Sequence, residues 1–314
     1  MAKGWGPATS LGLITEFDPW RDPLCTCPRK YSLSPYVGCR HSCAYCYITS
    51  YIPDGFRCRE KARFLARLER DLARLRPGSL ISISNSSDPY QPMEAERALT
   101  RSALERLLPM GLRVLLITKS DLVARDADLI ARGNCSVSVS ISTPNDRVAR
   151  RLEPFAPKPS ARLRALSLLA SKGIPCSVRV DPIIPGINDD PGELGKLIAA
   201  AGEAGCEHIV ASTYKARWDN LARVARAFPE SAKGLRRLYV EEGKPLGGKR
   251  YLPDALRRDL LGMVKELSEG LGLSFSTCRE GFPELGGAES CDGSHLIPLR
   301  VSAHLMDEFL DQGQ

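Results

Sequence analysis

The stretch "YVGCRHSCAYCYITSY", residues 36–51, sets three cysteines at Cys39, Cys43 and Cys46, with Tyr45 and Tyr47 on either side of the third. A closed metal site ordinarily takes four protein ligands. Three thiols at spacings of four and three therefore leave a coordination position without a protein owner, and what fills it depends on the fold that this loop interrupts.

Around the loop the chain alternates short apolar runs with amphipathic helices. The β-rich runs are "SLISIS" (79–84), "RVLLIT" (113–118), "SVSVSIS" (136–142), "CSVRV" (176–180) and "HIVAS" (208–212), each of strand length and preceded by the extended "YSLSPYVG". Between them, Phe64, Leu68, Leu72 and Leu75 share one helical face, as do Leu163, Leu166 and Leu169 in a helix that Ser160 and Gly173 are expected to cap. Asp190 reads as an N-cap with Pro191 at the first helical position and Gly205 as the stop. Strands in alternation with helices predict an α/β fold with a parallel sheet, and about six βα units fall short of the eight of a full barrel. The expected fold is a partial (β/α)6 TIM-type barrel over 31–230, with an N-terminal extension (1–30) and a loop-rich C-terminal appendage closing the barrel (231–314). That appendage carries a helix over about 254–271 and the run "LSFSTC".

The chain has 314 residues, with 44 Lys and Arg against 37 Asp and Glu. The resulting +7 tilts toward a polyanionic partner without the excess of a dedicated nucleic-acid binder. No run approaches the ~18 apolar residues of a membrane span, so a cytoplasmic chain with no membrane partner is expected. Eleven cysteines, an odd number in a long charged chain, do not describe a secreted disulfide scaffold. Metal or cluster ligation is the expected use.

The three thiols follow the first strand, at the end of the sheet where parallel α/β folds carry their sites. Three cysteines on a cubane cluster leave one iron open to a small molecule. The alternative is zinc, completed by His41 or Cys58. The spacing C-x-x-x-C-x-x-C, with an aromatic before the last Cys, resembles the signature of the radical S-adenosylmethionine (SAM) superfamily. The resemblance implies a [4Fe-4S] cluster on Cys39, Cys43 and Cys46, with SAM on its unique iron, and an external reductant such as ferredoxin or flavodoxin. It implies that Tyr45 packs near the adenine, and that Asn85, Ser86 and Asp88 in "SNSSDPYQPME" contact the SAM amine. Lys119, after the third strand, is placed for the SAM carboxylate. Ser140 and Ser142 share one strand face, and Arg179 lies on one face with Asp181, where a structural ion pair is the competing reading.

Taken together, "YCYITSY", "SDPYQP" and "VDPIIPGIND" resemble the spore photoproduct lyase-related branch over about residues 31–217. In those lyases the tyrosines flanking the third cluster cysteine join the hydrogen-transfer chain, which maps onto Tyr45 and Tyr47. A lyase also carries a donor cysteine after its second strand, where this chain has Ser86 and Ser87. Thymine-dimer reversal is therefore not expected. The expected reaction is reductive SAM cleavage and hydrogen abstraction from a nucleic acid, in DNA repair or RNA modification. A peptide or small-metabolite substrate is the variant, and a non-catalytic, metal-containing nucleic-acid-binding protein is the rival.

The chain ends carry Cys25 and Cys27 in "PLCTCP", Cys278 in "FSTCREG" and Cys291 in "SCDGSH". Four cysteines suit a second [4Fe-4S] cluster or a zinc. The pentapeptide 291–295 also resembles the CDGSH-type [2Fe-2S] family, making His295 an alternative fourth ligand. Cys135, Cys176 and Cys206 fall in or beside strands and are expected in the core. For polyanion binding, "GKPLGGKRY" (243–251) is the favoured loop, with Tyr251 free to stack on a base.

Overall fold

The computed structural model describes residues 12–17, 22–83 and 86–299. Eight strands form one sheet in sequence order: β1 (Thr15–Glu16), β2 (Tyr31–Leu33), β3 (Leu80–Ile83), β4 (Arg113–Thr118), β5 (Asn134–Ser140), β6 (Cys176–Ile183), β7 (His208–Thr213) and β8 (Ser274–Thr277). Only β1 runs antiparallel, pairing Thr15 with Ser32; β2 to β8 pair in parallel, each with the next. Every parallel pair requires a crossover, and helices Phe64–Leu72, Leu99–Leu107, Pro159–Ser171, Pro191–Glu203 and Asp254–Glu269 supply most of them. The sheet ends at β1 on one side and at β8 on the other, so the barrel is open along a seam.

Period-two alternation fixes what each sheet face meets. On β5, Cys135, Val137 and Val139 join the hydrophobic core beneath the helices, alongside Leu166, Leu169, Cys176 and Cys206. Ser136 and Ser138 face the other way and are buried, with the Ser177 hydroxyl donating to Ser138 at 2.8 Å. The concave face is thus lined with small hydroxyls, and the chain's tail covers it. Arg113 donates to the Ser294 carbonyl at 3.1 Å, Ile297 packs on Leu80 and Leu115, and a Cβ on Gly293 would lie 2.9 Å from the Ser177 hydroxyl.

The caps follow local chemistry. Asp190 accepts from Glu193 N at 2.9 Å and Pro191 opens the helix, as expected. Ser160 is not a cap: Pro159 occupies the first turn and Lys158 precedes it. The missing N–H and fixed φ of proline suit that position. Gly173, at φ +69°, ends this helix in the left-handed conformation that glycine takes without strain. "LSFSTC" is a strand of the main sheet, paired with β7. No helix among the described residues is long and apolar enough to cross a membrane.

Candidate functional site

The loop after β2 is tied down at nearly every peptide. Cys39 N donates to Gly55 O at 2.8 Å, Ala44 N to Leu152 O at 2.8 Å, and Cys46 N to Cys43 O at 3.0 Å. Arg223 donates to the carbonyls of Ala44 and Cys46, and Asn220 to that of Tyr45. Gln91 holds the loop's start, accepting from Arg40 N and donating to Gly38 O. Gly38 has φ +77°, and a Cβ there would sit 2.1 Å from the Arg57 carbonyl, so only glycine fits this turn. Cys39 and Cys43 are buried and Cys46 is partly exposed, all three as free thiols. Each of the three thiols is shifted up by burial, Cys39 to about 12, and Cys43 feels both of the others. Lys119 pulls Cys43 and Cys46 the other way. Three thiols and one cation therefore share an electrostatic neighbourhood held by a rigid loop.

Neither zinc alternative assembles. His41 faces the Phe155 carbonyl with Nδ1 at 3.2 Å and Asp88 with Nε2 at 3.5 Å, so both ring nitrogens point at other groups. The Cys58 thiol lies 3.6 Å from the Met93 sulfur, with Arg40, Arg59 and Glu60 as its charged neighbours. Among the described residues no three His, Cys, Asp or Glu are placed to hold a single metal ion. A cubane spreads its cysteine ligands over separate irons, and the donor set here, three soft thiols with a cation near Cys43 and Cys46, suits that group.

The residues expected around SAM fall into two sets. Asp88 is a brace: its carboxylate accepts from Thr118 Oγ1 and Lys119 N at 2.7 Å each and from Tyr90 N at 2.9 Å. Burial opposes its ionisation, but His41 and these donors hold it at about 2. Lys119 Nζ lies 3.9 Å from Glu153 and 5.6 Å from the centre of the Tyr45 ring. Ser142 Oγ donates to Glu153 at 3.3 Å, and the Ser140 carbonyl accepts from Arg162 at 2.9 Å. Ser86 meets the Tyr51 hydroxyl. Asn85 lies outside the described residues.

Glu153, which no sequence motif marks, is the hub of this wall. It is buried against Arg162 at 2.5 Å, with both side chains 1% exposed, and it accepts from the Tyr45 hydroxyl. Burial opposes its charge, yet Arg162 and Lys119 keep its carboxyl below the usual range. The two tyrosines flanking Cys46 thus differ in surroundings. Tyr45 is anchored in the wall, whereas Tyr47 is 45% exposed and stacked on Tyr51 at 5.9 Å. Asp181 and Arg279 are near enough for their charges to act on the Tyr47 hydroxyl.

Arg179 pairs with Asp181 at 2.9 Å and also meets the Cys278 thiol. It therefore looks toward the chain ends, where the four remaining loop cysteines gather. Cys25 and Cys27 share a hydrogen bond, Cys291 Sγ lies 3.2 Å from Cys27 Sγ, and Cys278 is within electrostatic reach of Cys27. His295 is held elsewhere, with Nδ1 2.8 Å from Ser290 Oγ and its ring edge-on to His208.

The "GKPLGGKRY" loop does not present a stacking base platform. Lys249 pairs with Asp22 at 2.8 Å, Arg250 donates to the carbonyls of Tyr239, Val240 and Gly243, and Tyr251 is buried. Exposed aromatic surface lies instead at Tyr47, Tyr51, Phe155 and Trp218, the last 66% exposed with Arg250 5.7 Å from its ring centre.

A family model for the Radical SAM superfamily matches residues 33–198. An uncharacterized protein of Mycobacterium tuberculosis (strain H37Rv) is 31% identical over 263 residues, which cover 76% of this chain and 74% of that protein. A protein of Pseudomonas phage M6 named Radical SAM Nalpha-GlyT isomerase is 26% identical, covering 80% of this chain and 55% of its own length. Among solved structures, spore photoproduct lyase complexed with dinucleoside spore photoproduct superposes with TM-score 0.60 at 17% identity, over 79% of this chain and 75% of that one. Streptococcus suis SuiB bound to S-adenosylmethionine superposes with TM-score 0.53 at 13% identity, over 82% of this chain and 53% of that one.

Proposed function

The chain belongs to the radical SAM superfamily, and from that premise we propose that it abstracts a hydrogen atom from a nucleic-acid substrate at the mouth of its partial barrel. The observation that carries the reading is the clamped loop bringing Cys39, Cys43 and Cys46 together with Lys119 at the C-terminal end of the parallel strands.

A [4Fe-4S] cluster on these thiolates, when bound and reduced by an external donor such as ferredoxin or flavodoxin, supplies the electron for cleaving SAM to a 5′-deoxyadenosyl radical. The chain's own residues do the rest. Lys119 offers a cation for the SAM carboxylate. Asp88 acts through Lys119 N and His41, fixing the loop rather than touching SAM. Tyr45, bonded to Glu153, is a wall residue. Tyr47, half-exposed beside Tyr51, is the residue for hydrogen transfer to or from substrate.

The substrate class rests on the rim. Tyr51 and Trp218 present faces on which bases can stack, and Arg217 and Arg250 lie beside them. The neighbouring loop 49–57 lines an open depression of about 860 Å³. The lyase relative in the solved structures is bound to a dinucleoside, which supports the same class. A second reading concerns turnover. The phage relative is named an isomerase, and an isomerase must return a hydrogen for the one it takes: return from 5′-deoxyadenosine regenerates SAM and leaves less than one 5′-deoxyadenosine per product, whereas return from another donor leaves one per product.

The test is 5′-deoxyadenosine formation by anaerobically reconstituted protein with SAM and reductant, adding UV-irradiated DNA, unirradiated DNA, bulk tRNA and rRNA, or nuclease-treated cell extract. Stimulation by one nucleic-acid pool is expected. Stimulation by the treated extract alone would leave the radical chemistry standing and reject the nucleic acid in favour of a peptide or metabolite. A second [4Fe-4S] cluster at the chain ends would be a separate addition to this chemistry.

A further inference from the structure

The barrel is incomplete, and its two free edges are β1, backed by β2, and β8. The residues that cross this seam come from opposite ends of the chain. Lys30, just before β2, is buried against Asp292 of the tail, both side chains 3% exposed or less. Asp22 pairs with Lys249 at 2.8 Å and approaches Arg279 at 3.8 Å, and both Lys30 and Arg279 lie over the Phe17 ring. The four cysteines sit in the same seam. Cys25 and Cys27 lead into β2, Cys278 directly follows β8, and Cys291 lies in the tail loop that covers the concave face.

We propose that Cys25, Cys27, Cys278 and Cys291 bind a second [4Fe-4S] cluster, closed by four protein thiolates, which staples the open seam of the barrel. Cys291 Sγ is 3.2 Å from Cys27 Sγ, and Cys27 shares its other contact with Cys25. Cys278 completes the set from the far edge. A cubane core of four irons, half ferric and half ferrous, with four sulfides carries about +2, so four thiolates leave the whole centre at about −2. Cations stand around the site to meet it: buried Lys30 beside Cys27 and Cys291, Arg279 beside Cys25, and Arg179 on the Cys278 thiol. The charge of buried Lys30 is met by Asp292, and a negative centre on Cys27 and Cys291 would add to that pairing. A single tetrahedral zinc is the rival occupant, since thiolates ~2.3 Å from one ion stand close together, as Cys27 and Cys291 do at 3.2 Å; iron, sulfide and zinc content decides between the two.

The site differs from that of Cys39, Cys43 and Cys46 in having no open iron. SAM therefore perturbs the first cluster and not the second. The second lies against the reaction mouth through Arg179 and Asp181, whose carboxylate also feels Lys119. The proposal adds to the radical SAM reading and does not depend on the nucleic-acid substrate.

Iron, sulfide and zinc are counted in anaerobically reconstituted full-length protein, and electron paramagnetic resonance spectra of the reduced protein are taken with and without SAM. About eight irons per chain are expected, two cubanes' worth. The Cys39→Ala/Cys43→Ala/Cys46→Ala variant should keep about half, with a spectrum that SAM leaves unchanged. The Cys27→Ser/Cys291→Ser variant should keep the other half, with a spectrum that SAM shifts. Should that pair of substitutions prevent folding, Cys278→Ser and the intact tail of the triple alanine variant decide the matter. Wild-type protein whose iron all vanishes in the triple alanine variant overturns the second cluster and leaves the proposed function standing. Iron that survives there but vanishes in the tail variant overturns the proposed function's cluster instead. Stoichiometric zinc lost with Cys27 and Cys291 overturns the iron–sulfur identity.

Discussion

Glu153→Leu should destabilise the protein by about 3–5 kcal/mol, the cost of removing one partner from a buried ion pair. Glu153 and Arg162 are each 1% exposed and 2.5 Å apart. With the carboxylate gone, the Arg162 guanidinium keeps its bonds to the carbonyls of Pro157 and Ser140 but not its counter-charge. The Tyr45 hydroxyl loses its acceptor at the same time. Such a loss is large but does not exceed the ~5–15 kcal/mol of a typical domain, so the variant should still fold. The magnitude can be separated by a cycle with Arg162→Met. The double variant removes the orphaned cation, yet it deprives the buried Ser140 carbonyl and the part-buried Pro157 carbonyl of their donor, at about 1–3 kcal/mol for each that is left unsatisfied. The penalty removed and the costs added are of similar size, so the double variant should lie within about 3 kcal/mol of the single one rather than return to wild-type stability. Urea unfolding of the metal-free protein, followed by far-ultraviolet circular dichroism, measures all three. A Glu153→Leu cost below about 1 kcal/mol would refute the reasoning, because then the buried charge would have found another partner or water.

Three further outcomes follow from the site. Lys119→Ala should weaken SAM binding about tenfold or more, the scale of one lost charge-assisted bond; unchanged affinity by calorimetry removes Lys119 from the carboxylate. Tyr47→Phe should leave iron content, thermal stability and SAM affinity near wild type while product formation is lost, whereas Tyr45→Phe should lower stability by about 1–2 kcal/mol through its lost bond to Glu153. If the two variants behave alike, the division of roles between the wall tyrosine and the half-exposed one is wrong. Gly38→Ala forces a left-handed φ on a residue whose Cβ would lie 2.1 Å from a carbonyl oxygen, and should reduce iron retention severely. Normal iron content in that variant would show that the loop's entry does not position the cluster ligands.

The cluster loop, the order of strands and the Asp190 cap were legible because each rests on a local signal: a spacing, a period of two, a cap followed by proline. The serines of "SLISIS" and "SVSVSIS" carried a further message, that the concave face is polar and needs a covering. That message is readable only once the tail's "CDGSH" loop is seen to lie on it. Glu153 and Arg162 left no trace in the sequence, since a buried ion pair depends on the fold around it and Glu153 sits at the frayed end of a short helix. "GGKRY" misled for the same reason in reverse. Its glycines and charges suggest a free loop, yet Lys249 is spoken for by Asp22, 227 residues away. Composition could suggest four loop cysteines as a set, but only the closeness of the two sheet edges brings Cys27 and Cys291 within 3.2 Å.

The most direct measurement is SAM cleavage itself: 5′-deoxyadenosine produced by iron-loaded wild-type protein with dithionite, beside the Cys39→Ala/Cys43→Ala/Cys46→Ala variant prepared the same way. Product from the wild type, and none from the folded variant, is the predicted result. Equal product from both, or none from a wild-type protein carrying a full complement of iron and binding SAM, would contradict the assignment of these three thiols to radical chemistry.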